Sequence, residues 1–381
     1  MGGVYEPPGV IVLFNTGVGL VKGEPKDALA EEGVTLCAGA VSRALRGLGF
    51  RVQEVPIDRD VELALAPYPP TEWIVFNLGE GLEGRLFEEP RIVWALDAMG
   101  YWYTGSDGYA IANSVDKARA KGLLIRHGVI TPPWVLVRHP DEVGAACSVL
   151  PFPLIVKPVA EDASLGVGPE AVVETVSALR DRVGYVVERY RQAALCEAFV
   201  VGREFNVSIW GDPPEVLPLA EIDFGAFANP YDRIVSFAAK WEEASFEYQN
   251  TPVICPAPVE AELADGIVET ALRSWSAVGS RGYARVDMRL DEQQRLQVVE
   301  VNCNPDLSPE AGFHRAARAA GYGYEDMVAR IVDIARSHYR VSDRFSPGDG
   351  RASYLAHHGG DGHLHVRGTR VCREHMARVR R

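Results

Sequence analysis

The sequence predicts an α/β protein whose C-terminal part is α+β. Three observations carry this. Across residues 10–105, short apolar runs alternate with segments of helical spacing, the pattern of a parallel sheet with helices on both faces. Residues 282–305 read instead as an antiparallel hairpin, with apolar and charged residues alternating along both arms. A length of 381 residues exceeds one ordinary domain and predicts two or three.

Taken in order, residues 10–14 suit a buried strand and lead into a loop holding Gly17, Gly19 and Gly23. No Gly-x-Gly-x-x-Gly fingerprint follows, so a dinucleotide site is not supported. A helix is expected over 31–48, strands over 51–57 and 73–77, a helix over 91–99 and a strand over 101–104. The glycine-rich loop after Asn77 lies beyond the carboxyl end of a strand, where ligands of open α/β sheets gather, and its Glu80 could hold an ammonium group. Ser114 is expected to cap a helix over 115–127 with Lys117 in its first turn, where the dipole disfavours a cation unless an anion such as phosphate is near. Strands follow over 134–137 and 153–157, and then a loop of small residues. Backbone N–H groups of Ala163, Ser164 and Gly166 there could wrap phosphate oxygens while Lys157 supplies charge, although no P-loop pattern is present.

Strands over 195–199 and 204–210, read as a hairpin, carry Glu197 and Glu204; their connection at Val200 could take an adenine, with Glu204 accepting ribose hydroxyls. The irregular segment 224–252 has the length of a lid or binding loop and contains one lysine, Lys240. A helix over 260–278 leads to the hairpin, and helices over 310–320 and 324–337 follow it. The tail 341–381 is rich in Gly, His and Arg, with four histidines over 357–365 that read as adventitious.

The hairpin concentrates the chemistry. Alternation puts Arg285, Asp287 and Arg289 on one face of its first arm and Glu300 and Asn302 on one face of its second. Symmetry about Gln293 and Gln294 sets Asp287 opposite Glu300 and Arg285 opposite Asn302. Like charges directly opposite destabilise a sheet, so positive charge must be supplied. Carboxylate and amide oxygens suit a hard cation such as Mg2+ that shares its positions with phosphates. A solvated hairpin with salt-bridged charges, Arg289 and Arg295 included, is the alternative.

Composition narrows the partners. A net charge of −13 and a pI near 5.3 argue against nucleic acid or an anionic membrane. The six cysteines include no Cys-x-x-Cys pair and are expected as free thiols. No apolar run is long enough for a membrane span and no leader is read, so a cytoplasmic location is expected.

Tyr103-Thr-Gly-Ser, Asp116-Lys117, Thr131-Pro-Pro, Ile155-Val-Lys-Pro, Ser164-Leu-Gly-Val, Glu197, Gly202-Arg-Glu204-Phe, Ala239-Lys240, Ala284-Arg-Val-Asp287 and Glu300-Val-Asn302 occur in one order. Together they resemble the ATP-grasp ligases, most closely the D-alanine–D-alanine ligases, over roughly residues 10–338. The resemblance implies an N-terminal α/β domain over 1–110, a central lid over 111–194, a C-terminal ATP-grasp part over 195–340 and the tail 341–381. It implies ATP and two Mg2+ ions as cofactors, small-molecule carboxylate and amine substrates, and is compatible with a homodimer. By similarity Lys117, Lys157 and Lys240 contact phosphates under the Ser164 loop, Glu197 and Val200 meet adenine, and Glu204 meets ribose. Asp287, Glu300 and Asn302 hold metal, and Arg285 faces the oxyanion of an amide-forming reaction that passes through an acylphosphate.

Departures bear on the substrate. The family holds the amine of its first D-alanine with a glutamate, matched by Glu31, linked through a serine and a tyrosine; the aligned positions here are Ala163 and Trp241. Glu80 replaces a histidine, and Ala311 and Gly312 stand where a serine–leucine pair binds a carboxylate, with His314 following. A ligase acting on a pair other than D-alanine is therefore expected. A true D-alanine–D-alanine ligase and a catalytically silent ATP-binding protein are the alternatives.

Overall fold

The computed structural model describes residues 9–16 and 21–345. Gly17, Gly19 and the four-histidine segment lie outside them.

Four parallel strands, β1 (Gly9–Asn15), β2 (Arg51–Ile57), β3 (Trp73–Leu78) and β4 (Trp102–Tyr103), form the first sheet in the order β2-β1-β3-β4. Residues of β1 and β3 are apolar on both sides because both faces are covered. Val10, Val12, Ile74 and Phe76 pack with Ala38, Val41 and Leu45 of the helix Ala28–Gly47. Ile11, Leu13 and Val75 face the other way, toward Ile92, Val93 and Leu96 of the helix Glu89–Met99. The carboxyl ends of β1 and β3 therefore carry their loops to one edge.

A second sheet holds β5 (Trp134–Val137), β6 (Leu154–Pro158), β7 (Val172–Val173) and β8 (Ala194–Ala198) in the antiparallel order β5-β8-β6-β7. The helix Val176–Tyr190 seals one face through Leu179, Val183 and Val186. The third sheet joins β9 (Gly202–Trp210), β10 (Glu215–Val216), β11 (Ala220–Ile222), β12 (Val253–Ile254), β13 (Tyr283–Asp291) and β14 (Leu296–Asn302), in the order β12-β11-β9-β13-β14 with β10 on β9. Its back packs on the helix Ala261–Val278 through Ile267, Ala271 and Val278. The three sheets belong to one compact unit ending at Tyr339. Beyond it the described chain is the end of the helix Tyr324–Phe345.

Two expectations need correction, and a third holds at the cavity end of the hairpin alone. The strands carrying Glu197 and Glu204 are not a hairpin: β8 belongs to the second sheet and β9 to the third, so residues 199–201 cross between sheets. Ser114 does not cap the helix of Lys117. It ends the preceding helix Gly108–Ser114, and Asp116 caps Lys117–Arg126 by accepting from the N–H of Arg119 at 3.0 Å. The hairpin of β13 and β14 has the expected pairs Arg285–Asn302 and Asp287–Glu300, but Met288 pairs with Val298. The extra residue is Val299, a bulge that turns Val298 to the core while Glu300 keeps its opposite face.

Candidate active site

A cavity of about 650 Å³ opens where the three sheets meet. It is lined by β6, β8, β9, β13 and β14, the loop holding Ser164, the helix Phe237–Trp241, the loop after β3 and the first helix. Lys117, Lys157, Ser164, Glu197, Val200, Glu204, Lys240, Trp241, Arg285, Asp287, Glu300, Asn302 and Glu80 all reach it.

Its floor is the hairpin. Arg285 grips Asp287 with two hydrogen bonds of 2.7 and 2.8 Å, and Asn206 of β9 donates to the same carboxylate at 2.8 Å. Lys117 lies 2.8 Å from Glu300 and 3.4 Å from Asp162, and also donates to the Glu161 carbonyl. Burial alone would raise the Glu300 pKa; Lys117, Lys157 and Lys240 outweigh it and hold the group down to about 2. Burial would likewise strip Lys117 of its proton, and Glu300 and Asp162 keep the lysine charged. The protein's own cations thus resolve the repulsion of the two facing acids. Two carboxylates and the amide oxygen of Asn302 make an all-oxygen donor set, which fits a hard divalent cation. Asn302 is oriented by its Oδ1 accepting the N–H of Asn304 at 2.9 Å. Among the described residues no three His, Cys, Asp or Glu side chains converge as a metal cluster, consistent with both carboxylates being turned to Arg285 and Lys117.

The end of the cavity that holds Glu197 and Glu204 is organised by buried charge. Glu197, 2% exposed, takes Lys121 and Lys157 at 2.7 Å each. Burial would raise its pKa, but the two lysines hold it below the usual range. It is the shared counter-ion that fixes Lys157, and Lys121 is a partner the sequence reading missed. Arg289, solvated in the alternative reading of the hairpin, is buried. It donates to Glu204 at 2.9 and 2.6 Å, to the Val200 carbonyl at 2.7 Å and to the Arg233 carbonyl, between the rings of Phe199 and Phe224. Its place on the same face as Arg285 and Asp287 was the available signal.

Above the floor, Ala163 and Ser164 adopt φ of 55° and 60°, which turns the small-residue loop over the cavity. Ser164 donates its hydroxyl to the Val235 carbonyl at 2.7 Å, and the N–H of Phe237 donates to the Val167 carbonyl at 2.8 Å. Segment 224–252 and the loop therefore form one roof. Lys240 lines it without an ion pair among the described residues; burial and then Arg285 lower its pKa.

At the far end, the Trp241 Nε1–H donates to the Ala163 carbonyl at 3.0 Å, and the indole ring lies so close to Gly33 that a Cβ there would stand 2.9 Å from it. Cys37, Leu307 and Arg315 also line this end. Glu31 lies on the first helix, and its side chain lies outside what the structure describes. His314 does not reach the cavity. It is 7% exposed, its Nδ1 lies 2.6 Å from the Pro309 carbonyl and its ring stands edge-on to Tyr324, because the helix Gly312–Ala319 turns that position inward. Its neighbour Arg315 faces the cavity instead.

Residues 123–333 match the family described as D-ala D-ala ligase C-terminus. A D-alanine–D-alanine ligase of Sphingopyxis alaskensis is 32% identical over 315 residues, 80% of this chain and 94% of that protein. An uncharacterised protein of Sinorhizobium fredii is 33% identical over 274 residues, 72% of this chain and 77% of its own length. The crystal structure of a D-alanine–D-alanine ligase from Bacillus anthracis complexed with ATP is similar in fold, with a TM-score of 0.65 and 19% identity over 87% of this chain and 99% of the other.

Proposed function

Because the chain belongs to the D-alanine–D-alanine ligase family, an ATP-grasp family, we propose that it is an ATP-dependent ligase joining a carboxylate to an amine, with an acid other than D-alanine as its first substrate. As a member of this family it is an ATP- and Mg2+-using enzyme that forms C–N bonds. The contact of Trp241, Ala163 and Gly33 argues for a different acid.

Trp241 carries no acceptor and Ala163 no hydroxyl, and the Ala163 carbonyl already accepts the indole N–H, so neither side chain can link the first helix's glutamate to a substrate ammonium. A site that lacks these partners disfavours a ligand that needs them, by several kcal/mol when buried.

In this reading Lys117, Lys157 and Lys240 neutralise phosphate oxygens beneath the Ser164 loop, each supported by its place on the cavity wall. Glu197 steers Lys157, and Arg289 holds the Val200 carbonyl and Glu204 in place for adenine and ribose. Asp287, Glu300 and Asn302 would hold Mg2+, which when bound offsets charge on the phosphoryl oxygens. That requires Arg285 and Lys117 to release the carboxylates they grip. Arg285, freed from Asp287, would meet the developing oxyanion.

The test is ADP release from Mg-ATP across a panel of acids, with and without D-alanine. Turnover with other acids and little with D-alanine is expected. Strong turnover with D-alanine alone would sink the substrate proposal in favour of a true D-alanine–D-alanine ligase, and no amine-dependent turnover with any acid would leave a silent nucleotide-binding protein.

A further inference from the structure

We propose that Glu80 is the general base of the ligation, its carboxylate taking one proton from the amine that attacks the activated acyl carbon. This rests on the ligase reading above.

The loop after β3 brings Glu80 to the catalytic floor by a chain of hydrogen bonds. Asn15 accepts from the Glu80 N–H at 2.6 Å and donates to the Gly81 carbonyl at 2.7 Å, pinning the backbone on both sides of the carboxylate. Asn304, whose own N–H is held by Asn302, donates to the Gly79 carbonyl at 3.0 Å and so ties the loop to the turn after β14. Gly81 has φ of 117° and leaves no room for a Cβ, which would lie 2.4 Å from the Arg85 carbonyl oxygen, so the loop's shape is built in.

Among the described residues the Glu80 carboxylate has no hydrogen-bond or ion-pair partner, while the deeper acids of the cavity are held. Asp287 is on Arg285, Glu300 and Asp162 on Lys117, Glu197 on two lysines and Glu161 on Lys22. The groups acting on Glu80 are Asp162 and Asp306, which repel it, and Lys240, which attracts it; Glu89 and Cys37 lie within electrostatic reach. Its side chain is exposed to the open cavity, and the protein lining that cavity, then Asp162 and Asp306, push its pKa above the ordinary carboxylate range. A carboxylate so raised is a stronger base than one at its ordinary value, and lies close to the range that favours proton transfer at neutral pH.

The step balances. An incoming ammonium gives one proton to Glu80 and its nitrogen lone pair bonds to the acyl carbon. The bond from that carbon to the phosphate oxygen then breaks, phosphate leaves carrying the second proton, and the amide keeps the third. Glu80 returns its proton to solvent.

The test compares wild type with Glu80→Gln in the full chain, using an amine substrate and, separately, hydroxylamine, a weak base that arrives deprotonated. Amine-dependent kcat should fall roughly 10²-fold or more in the variant, while hydroxamate formation stays near the wild-type rate. The wild-type kcat/KM limb that rises as the free enzyme's Glu80 ionises, displaced above the ordinary carboxylate range, should disappear in Glu80→Gln, leaving only the rise of free amine. Glu80→His should restore part of the turnover with the limb moved to lower pH. An unchanged kcat with a raised KM would overturn the proposal and make Glu80 a holder of the ammonium. Equal loss with hydroxylamine would overturn it by assigning Glu80 to activation of the acid. Failure of the wild type to form hydroxamate from any acid would instead sink the ligase reading itself.

Discussion

At the scale of single residues, the same charged pattern on β13 carries two different jobs. Arg285 and Asp287 form an ion pair at the cavity floor, whereas Arg289, four residues along the same face from Arg285, is buried and holds Glu204 and the Val200 carbonyl. Alternation identified the face, and could not say which of its arginines would be covered, because Phe199 and Phe224 arrive from other elements. The acids are more exacting. Replacing Asp287 by Asn or Glu300 by Gln removes one carboxylate from a donor set suited to Mg2+, a loss of several kcal/mol of charge stabilisation. Turnover with Mg-ATP should fall a hundredfold or more, on the order expected from that energy, with the far-ultraviolet circular dichroism of Asp287→Asn unchanged. Normal activity in either variant would refute the metal assignment.

Among the elements, the hairpin shows why periodicity is a good guide to faces and a poorer one to register. The pairs nearest the cavity are those that simple symmetry gives, yet the turn side is displaced by one residue at Val299. The bulge satisfies two demands at once, Val298 in the core and Glu300 at the site, which a strict period of two cannot do for residues two apart. Gly202 marks a second such constraint, at the start of β9. Its φ is 153° and a Cβ would lie 1.9 Å from the Leu290 carbonyl oxygen. Gly202→Ala must push β9 from β13, and should cost roughly 1–3 kcal/mol or more, read as a lowered denaturant midpoint; an unchanged midpoint would show that the two strands can shift without penalty. The Ser114 expectation failed because a cap is defined by the break before the next helix, which Asp116 supplies two residues later.

Over the whole molecule, the helix Val176–Tyr190 on the second sheet is latched to the segment before the first helix. Gly23 donates to the Arg189 carbonyl at 2.8 Å, Tyr190 donates its hydroxyl to Asp27 at 2.9 Å, and Lys22 pairs with Glu161. Asp27 is only 2% exposed, so its carboxylate depends on the donors it has. Tyr190→Phe removes one of them and should cost about 1–3 kcal/mol, much of it at this contact. Expected are a raised KM for ATP and faster amide exchange over Val176–Tyr190; exchange confined to its wild-type rate would mean the latch does not hold this helix. Among the described residues no helix is long and apolar enough to cross a membrane.

The sequence by itself determined the layered α/β plan, the faces of the hairpin and, through the order of its motifs, the family and its reaction class. These are local or pairwise properties: strand periodicity, turn residues, and spacings that survive whatever packs around them. Only the tertiary structure decided that Glu197 is a counter-ion for two lysines, that Arg289 is buried, that His314 turns inward while Arg315 faces the cavity, and that Trp241 spends its N–H on Ala163. All but the His314 turn depend on groups far apart in the chain, Arg289 and Val200 or Trp241 and Ala163, being brought within hydrogen-bond distance. A charge's partner, and hence its role, is set by that meeting and not by its neighbours in the chain.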